Sequence, residues 1–224
     1  MAPHDPGEIK WRLDILPEET RNALDYFSQR EWLAEGGWYL AGGTALALRA
    51  GHRRSVDLDF FTTKRTFNTG TFIARLTEDG DWSTSSEEDG TVYGEYRGAK
   101  VSFIANPLFI PGSSAPAYGY ITVLPPADIA VMKILAISRR GRKRDFFDLY
   151  WCVQNIEPLQ NIVGRVPVQY PTASENMHHL LKGLVYFEDA EEDPKPEIYF
   201  KASWKDIKSF FIREVPHIAK RIVQ

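Results

Sequence analysis

Leu40-Ala-Gly-Gly-Thr-Ala-Leu-Ala-Leu-Arg-Ala-Gly-His-Arg-Arg-Ser-Val-Asp-Leu-Asp-Phe-Phe61 decides the fold. A Gly-Gly-Thr turn opens a short apolar segment, Thr44 to Ala50, that Gly51 ends as a C′ glycine would. A turn at a helix N-terminus offers unpaired N–H groups and partial positive charge, which suit a phosphate. Asp57 and Asp59 follow on a stretch that reads as a strand. Successive strand side chains alternate faces, so the two carboxylates share one side while Val56, Leu58 and Phe60 are expected in the core. Like charges held side by side repel unless a cation lies between them. Mg²⁺ takes one or two carboxylates together with substrate phosphates, so the stretch reads as a site for Mg²⁺ (or Mn²⁺) and a nucleotide.

The glycine pair is neither a P-loop, which would end Gly-Lys-Ser/Thr, nor a G-x-G-x-x-G dinucleotide fingerprint. Gly42, Gly43 and Thr44 followed by Asp57 and Asp59 resemble the signature of the DNA polymerase β-like nucleotidyltransferase superfamily. With Lys133-Ile-Leu-Ala-Ile-Ser-Arg-Arg-Gly-Arg-Lys-Arg-Asp-Phe-Phe-Asp-Leu-Tyr150, the chain more narrowly resembles the AbiEii/AbiGii toxin family over roughly residues 36 to 155. The resemblance implies a metal-dependent enzyme that moves a nucleoside monophosphate from a nucleoside triphosphate to an acceptor hydroxyl, with tRNA the acceptor. It also implies a bacterial toxin–antitoxin or phage-defence role and a cognate antitoxin protein.

The resemblance further implies roles for later residues. Lys133 matches the lysine of a third motif and would stabilise triphosphate charge. The second basic residue of that motif matches either Arg139 or Arg140. Asp145 and Asp148 match a fourth motif, with Asp145 orienting or deprotonating the acceptor; as residues alone, Asp145 suits an N-terminal helix cap equally, and Asp148 suits a pair with neighbouring arginines. Among His52 to Ser55, Arg54 or His52 is the candidate for the triphosphate. Thr44 reads as part of the phosphate cradle or as a helix cap. One departure stands out: superfamily enzymes usually carry a third carboxylate on a later strand, and Lys100 to Ala105 offers Ser102 there, with Glu95 a weak substitute. This departure leaves open a nucleotide- or RNA-binding module without catalysis; a small-molecule nucleotidyltransferase of the antibiotic-modifying kind is a separate alternative.

Composition agrees with a folded chain. At 224 residues, 43% hydrophobic and 13% aromatic, it can bury a sizeable core, while a formal net charge of -3 gives no global pull toward nucleic acid or anionic membrane. Nucleic acid would have to use a local patch such as Arg139 to Arg144. Cys152 cannot form an internal disulfide and reads as a small core residue. With neither a leader-like start nor a long apolar run, the expected location is cytoplasmic and no membrane partner is expected.

Taken in order, the spacing predicts a helix from Pro17 to Glu35, a strand over 38–41, helices over 44–50 and 68–78, and strands over 82–87, 91–97 and 100–105. A surface loop over 107–120 leads to a helix after Pro125-Pro126 and another from Asp145 to Val153. Beyond Asn155 the expectations are a helix over 174–187, an acidic linker over 188–196, and a closing helix over 203–223 interrupted near Pro216. His178-His179 read as structural. The fold class is α+β, a polymerase β-like nucleotidyltransferase core with a small mixed sheet flanked by helices. Residues 1–155 read as that core with its N-terminal helix, and 156–224 as a helical C-terminal subdomain.

Overall fold

A computed structural model of the chain describes residues 9–112 and 114–222. A 3₁₀ turn at Leu13–Ile15 precedes α1 (Glu18–Ser28) and α2 (Glu31–Glu35), followed by β1 (Trp38–Ala41), α3 (Gly42–Ala50), β2 (Leu58–Thr62) and α4 (Thr69–Thr77). Then come β3 (Trp82–Glu88), β4 (Thr91–Tyr96), β5 (Ala99–Ala105), β6 (Ala117–Tyr118) and β7 (Ile121–Val123). The second half is helical: α5 (Pro126–Arg140), α6 (Lys143–Asn155), α7 (Leu159–Gln169), α8 (Met177–Gly183), α9 (Glu188–Glu191) and α10 (Trp204–Ile222).

The sheet runs β3-β4-β5-β2-β1-β7-β6 and is mixed: β2 is antiparallel to β1 and parallel to β5. The expected α+β class with a mixed sheet flanked by helices is the class observed. β2 lies fourth of seven, and its inner face carries Leu58 and Phe60, both fully buried. Phe60 stacks on Phe103 of β5 with ring centroids 5.0 Å apart, and Phe27 of α1 packs edge-on against both. Burying one such ring contributes about 1.5–3 kcal/mol. A one-residue slip of β2 would bury Asp59 and expose Phe60, so this packing fixes which face the carboxylate occupies.

Several sequence expectations are corrected here. Val56 is 41% exposed rather than in the core, because β2 begins at Leu58 and residues 52–57 form a loop whose Val56 carbonyl accepts a hydrogen bond from Thr20 Oγ1. The first helix divides at Gln29-Arg30, where Arg30 is extended. The 107–120 loop ends in β6, and the short β7 pairs in parallel with β1. α7 and α9 fall where no helix is expected, and a 3₁₀ turn over Pro171–Asn176 precedes a shorter α8 than expected. α10 runs through Pro216 without interruption; the carbonyl that loses its helical donor is that of Ile212, a residue 57% exposed, on the solvent side where such a loss costs least. Met1 to Glu8 and Val223 of the expected closing helix lie outside the described residues. Ile162 and Val166 of α7 and Ile207 and Phe211 of α10 join the same hydrophobic core as the sheet. Among the described residues no helix is long and apolar enough to cross a membrane.

Candidate active site

The chain turns from β1 into α3 at Gly42, whose φ of +70° is a conformation that glycine adopts without steric cost. A Cβ there would also lie 2.8 Å from Asp59 Oδ2. At Gly43 the constraint is space alone, since a Cβ would stand 2.1 Å from the Arg53 guanidinium. The glycine pair therefore brings backbone against both a carboxylate and a cation. Ala41, at the N-cap, provides no side-chain hydrogen bond, so the first N–H groups of α3 open toward the cleft.

That cleft, about 170 Å³, has a polar end at Gly42, Gly43, Asp57, Asp59 and Lys133 and an apolar end at Phe61, Ile104 and Met132. Its floor is the sheet and its roof is α5, where Met132, Ala136 and Arg140 recur at helical spacing on one side. Asp59 is register-paired with Ser102 of β5, and the Ser102 hydroxyl donates to Asp59 Oδ1 at 2.8 Å. Asp57 Oδ2 lies 3.3 Å from Arg144. Burial pushes the Asp59 carboxyl up from its ordinary value, the Ser102 hydroxyl opposes that shift and the charge on Asp57 adds to it.

Behind the cleft lies a buried charge network. Asp148 on α6 has no exposed side-chain surface and meets Arg53 at 2.6 and 2.9 Å, Lys133 at 2.7 Å and His52 Nε2 at 2.8 Å. Burial alone would raise its pKa, yet Arg53 and Lys133 hold the carboxyl well below the usual range. Lys133 also reaches Asp145 at 2.6 Å. Burial pushes its ammonium down, but the two carboxylates outweigh that and the net shift is upward. For His52 burial wins over Asp148 and lowers the pKa, so the ring is neutral near pH 7 and its Nε2–H donates to the carboxylate. The loop that carries His52 and Arg53 is held from outside by the C-terminal region: Tyr199 N–H donates to the His52 carbonyl and Arg54 N–H to that of Glu197.

Residues 33–107 and 108–222 match the family described as nucleotidyl transferase AbiEii toxin of type IV toxin–antitoxin systems. The chain belongs to the AbiEii nucleotidyltransferase toxin family. An uncharacterized protein of Aquifex aeolicus (strain VF5) is 34% identical over 188 residues, covering 80% of this chain and 86% of that protein. Among solved structures, the nucleotidyltransferase toxin MenT4 of Mycobacterium tuberculosis H37Rv is 15% identical, with 91% of this chain and 86% of that one covered and a TM-score of 0.49. The Megavirus polyadenylate synthase is 14% identical, with 70% and 39% covered and a TM-score of 0.45. This AbiEii chain is thus a nucleotidyltransferase, as its motifs imply.

Within the AbiEii chain the structure brings Gly42, Gly43, Asp57, Asp59 and Lys133 into one cleft and sets Asp145 and Asp148 behind it. Four further candidates are placed as follows. Thr44 is 1% exposed, its hydroxyl donates to the Asp57 carbonyl and lies 2.8 Å from Ser55 Oγ, so it ties down the loop before β2 and leaves only its N–H for a phosphate. Arg54 points to solvent, and it is Arg53 that lines the cleft. Arg139 lines a different cavity with Leu108 and Tyr170, whereas Arg140, one position and about 100° further round the helix, faces the cleft. Asp145 has no accessible surface and does not line the cleft, and its two oxygens meet Lys133 and Arg140. Cys152 is buried, as expected, and burial pushes its thiol up.

The carboxylates fit a divalent cation that arrives with its nucleotide. Among the described residues no three metal-binding side chains converge, so the protein offers Asp57 and Asp59 alone. Two carboxylates, one of them oriented by Ser102, complemented by phosphate oxygens, is the donor set that Mg²⁺ uses.

Proposed function

We propose that this AbiEii toxin transfers a nucleoside monophosphate from a nucleoside triphosphate to the terminal hydroxyl of an RNA, tRNA being the acceptor class, in a Mg²⁺-dependent reaction. The observation that carries it is the pair Asp57 and Asp59 facing the open N-terminus of α3 across one cleft. The N–H groups of Gly42, Gly43 and Thr44 receive the outer phosphates. Lys133 has two of its three donor positions occupied by Asp145 and Asp148, which leaves the third for a phosphate oxygen on the cleft side. Arg53, under Gly43, adds a second fixed cation. The apolar end at Phe61, Ile104 and Met132 covers the faces of a base without hydrogen-bonding groups that read its edge.

Mg²⁺, bound with the triphosphate at Asp57 and Asp59, supplies neutralisation of phosphate charge and polarisation of the α-phosphate. The acceptor hydroxyl oxygen bonds to the α-phosphorus as the bond from that phosphorus to the bridging oxygen breaks. Pyrophosphate leaves and the hydroxyl proton passes to water. Arg140 and Arg144 at the rim favour a polyanionic acceptor and disfavour a cationic aminoglycoside. As a toxin of a two-component system, the protein is expected to meet a cognate antitoxin. The test is incubation with each α-labelled triphosphate, Mg²⁺ and total bacterial RNA on a denaturing gel. Label at tRNA size supports the reading; label only on a small molecule overturns the RNA acceptor.

A further inference from the structure

A second cavity, about 530 Å³, adjoins the first at the same two carboxylates and extends away from the glycine turn over β4 and β5. Asp57 and Asp59 line both cavities, and so do Tyr93, Arg140 and Arg144. In-line displacement at phosphorus needs the leaving group and the attacking hydroxyl on opposite sides of the reacting atom. With the triphosphate at the glycine turn, the β4–β5 side is the one left for the acceptor.

We propose that this second cavity holds the 3′-terminal nucleotide of the acceptor RNA, with its base on the ring of Tyr93 and its phosphate at Lys100, an inference that rests on the nucleotidyl transfer proposed above. Tyr93 is 42% exposed in the middle of a strand whose neighbours Val92 and Gly94 are buried, so its ring contributes little to the core and stands free on the catalytic face of the sheet. It is register-paired with Ser102, which is itself paired with Asp59. The ring thus starts two strand spacings, about 9–10 Å, from the carboxylate strand, about the span of a nucleoside whose hydroxyl reaches the reacting phosphorus. Lys100, exposed on β5, lines the cavity beside Ser102. Stacking on a ring is tolerant of base identity, so selection among RNAs would come from the shape of the end presented.

Steady-state kinetics with tRNA as the varied substrate, for wild type, Tyr93→Ala, Tyr93→Phe and Lys100→Glu, test it. Loss of one base stack corresponds to about a 5- to 150-fold loss of affinity, so the KM for RNA should rise by that factor in Tyr93→Ala, and by more than the KM for the triphosphate, whose cleft Tyr93 only borders. Tyr93→Phe keeps the ring and should restore the RNA KM. Lys100→Glu should raise it and flatten its dependence on salt. If wild type labels RNA and the RNA KM is unmoved in both Tyr93→Ala and Lys100→Glu, the acceptor cavity is wrong while the transfer reaction stands. If wild type labels no RNA, both readings fall together.

Discussion

Replacing Asp148 with asparagine removes the one carboxylate that faces Arg53, Lys133 and His52 at once. The side chain is fully buried, and four contacts of 2.6–2.9 Å converge on it. Lys133 keeps Asp145, but Arg53 is left as a buried guanidinium without an ion-pair partner among the described residues, holding the Arg54 carbonyl at 2.8 Å and at most the neutral amide oxygen. Breaking one side of a buried pair costs about 3–5 kcal/mol, which for a chain of this size lowers Tm by about 6–20 °C. The pH dependence follows from the sign of the shift. The folded-state pKa of Asp148 is depressed below its ordinary value of 3.8, so its contribution is complete above that value and is lost as pH falls through the folded pKa. Thermal unfolding of wild type and Asp148→Asn should therefore differ by a constant interval between about pH 7 and pH 8, where His52 is neutral, and the carboxylate's share of the difference should be lost only in stronger acid. The double variant Arg53→Met/Asp148→Asn should recover much of the loss, because the uncompensated cation has gone. A Tm difference under about 3 °C, or one that closes already near neutrality, would refute the reading of this network as the support of the cleft.

Gly43→Ala should lower stability by about 1–3 kcal/mol through overlap with the Arg53 guanidinium and abolish triphosphate binding, measured by thermal melts and calorimetry; a stable variant that binds normally contradicts the packing described. Ser102→Ala should leave the fold intact and raise the Mg²⁺ concentration for half-maximal activity about 10- to 100-fold, since Asp59 loses the hydroxyl that orients it. Lys133→Met should cost more stability than Arg144→Ala, because Lys133 is buried between two carboxylates and Arg144 is at the exposed rim; equal losses in chemical denaturation would speak against that difference.

The unit β1–α3–β2 was legible in the sequence because each of its signals is local: a glycine pair, a short apolar run closed by Gly51, and carboxylates alternating with Leu58 and Phe60. The hairpins of β3, β4 and β5 were legible from their glycine turns, expected at residues 88–90 and 98–99 and observed at 89–90 and 97–98, and from the alternation of β4 and β5. β7 was not, since three residues are too few to show alternation and its pairing with β1 is settled only by the fold. α7 hid behind Gly164 and Pro167, although Leu159, Ile162, Val163 and Val166 carry helical spacing and could have revealed it. In the site, Arg53 and Asp148 meet across 95 positions of chain, and nothing beside Arg53 distinguishes it from Arg54. Arg140, by contrast, continues the Met132–Ala136 stripe, so helical phase could have separated it from Arg139. Val56 misled because alternation was extended one step past the point where the strand begins.

The most direct test of the central claim is single-turnover reaction of wild type and Asp57→Asn/Asp59→Asn with α-labelled triphosphate, Mg²⁺ and tRNA, measuring RNA-bound label and released pyrophosphate together. The two products should form in equal amounts with wild type, disappear when the metal is chelated, and be undetectable in the variant, whose melting temperature should not fall because two mutually repelling charges have been removed. Transfer that persists in a folded Asp57→Asn/Asp59→Asn protein would show that the chemistry lies elsewhere in the chain.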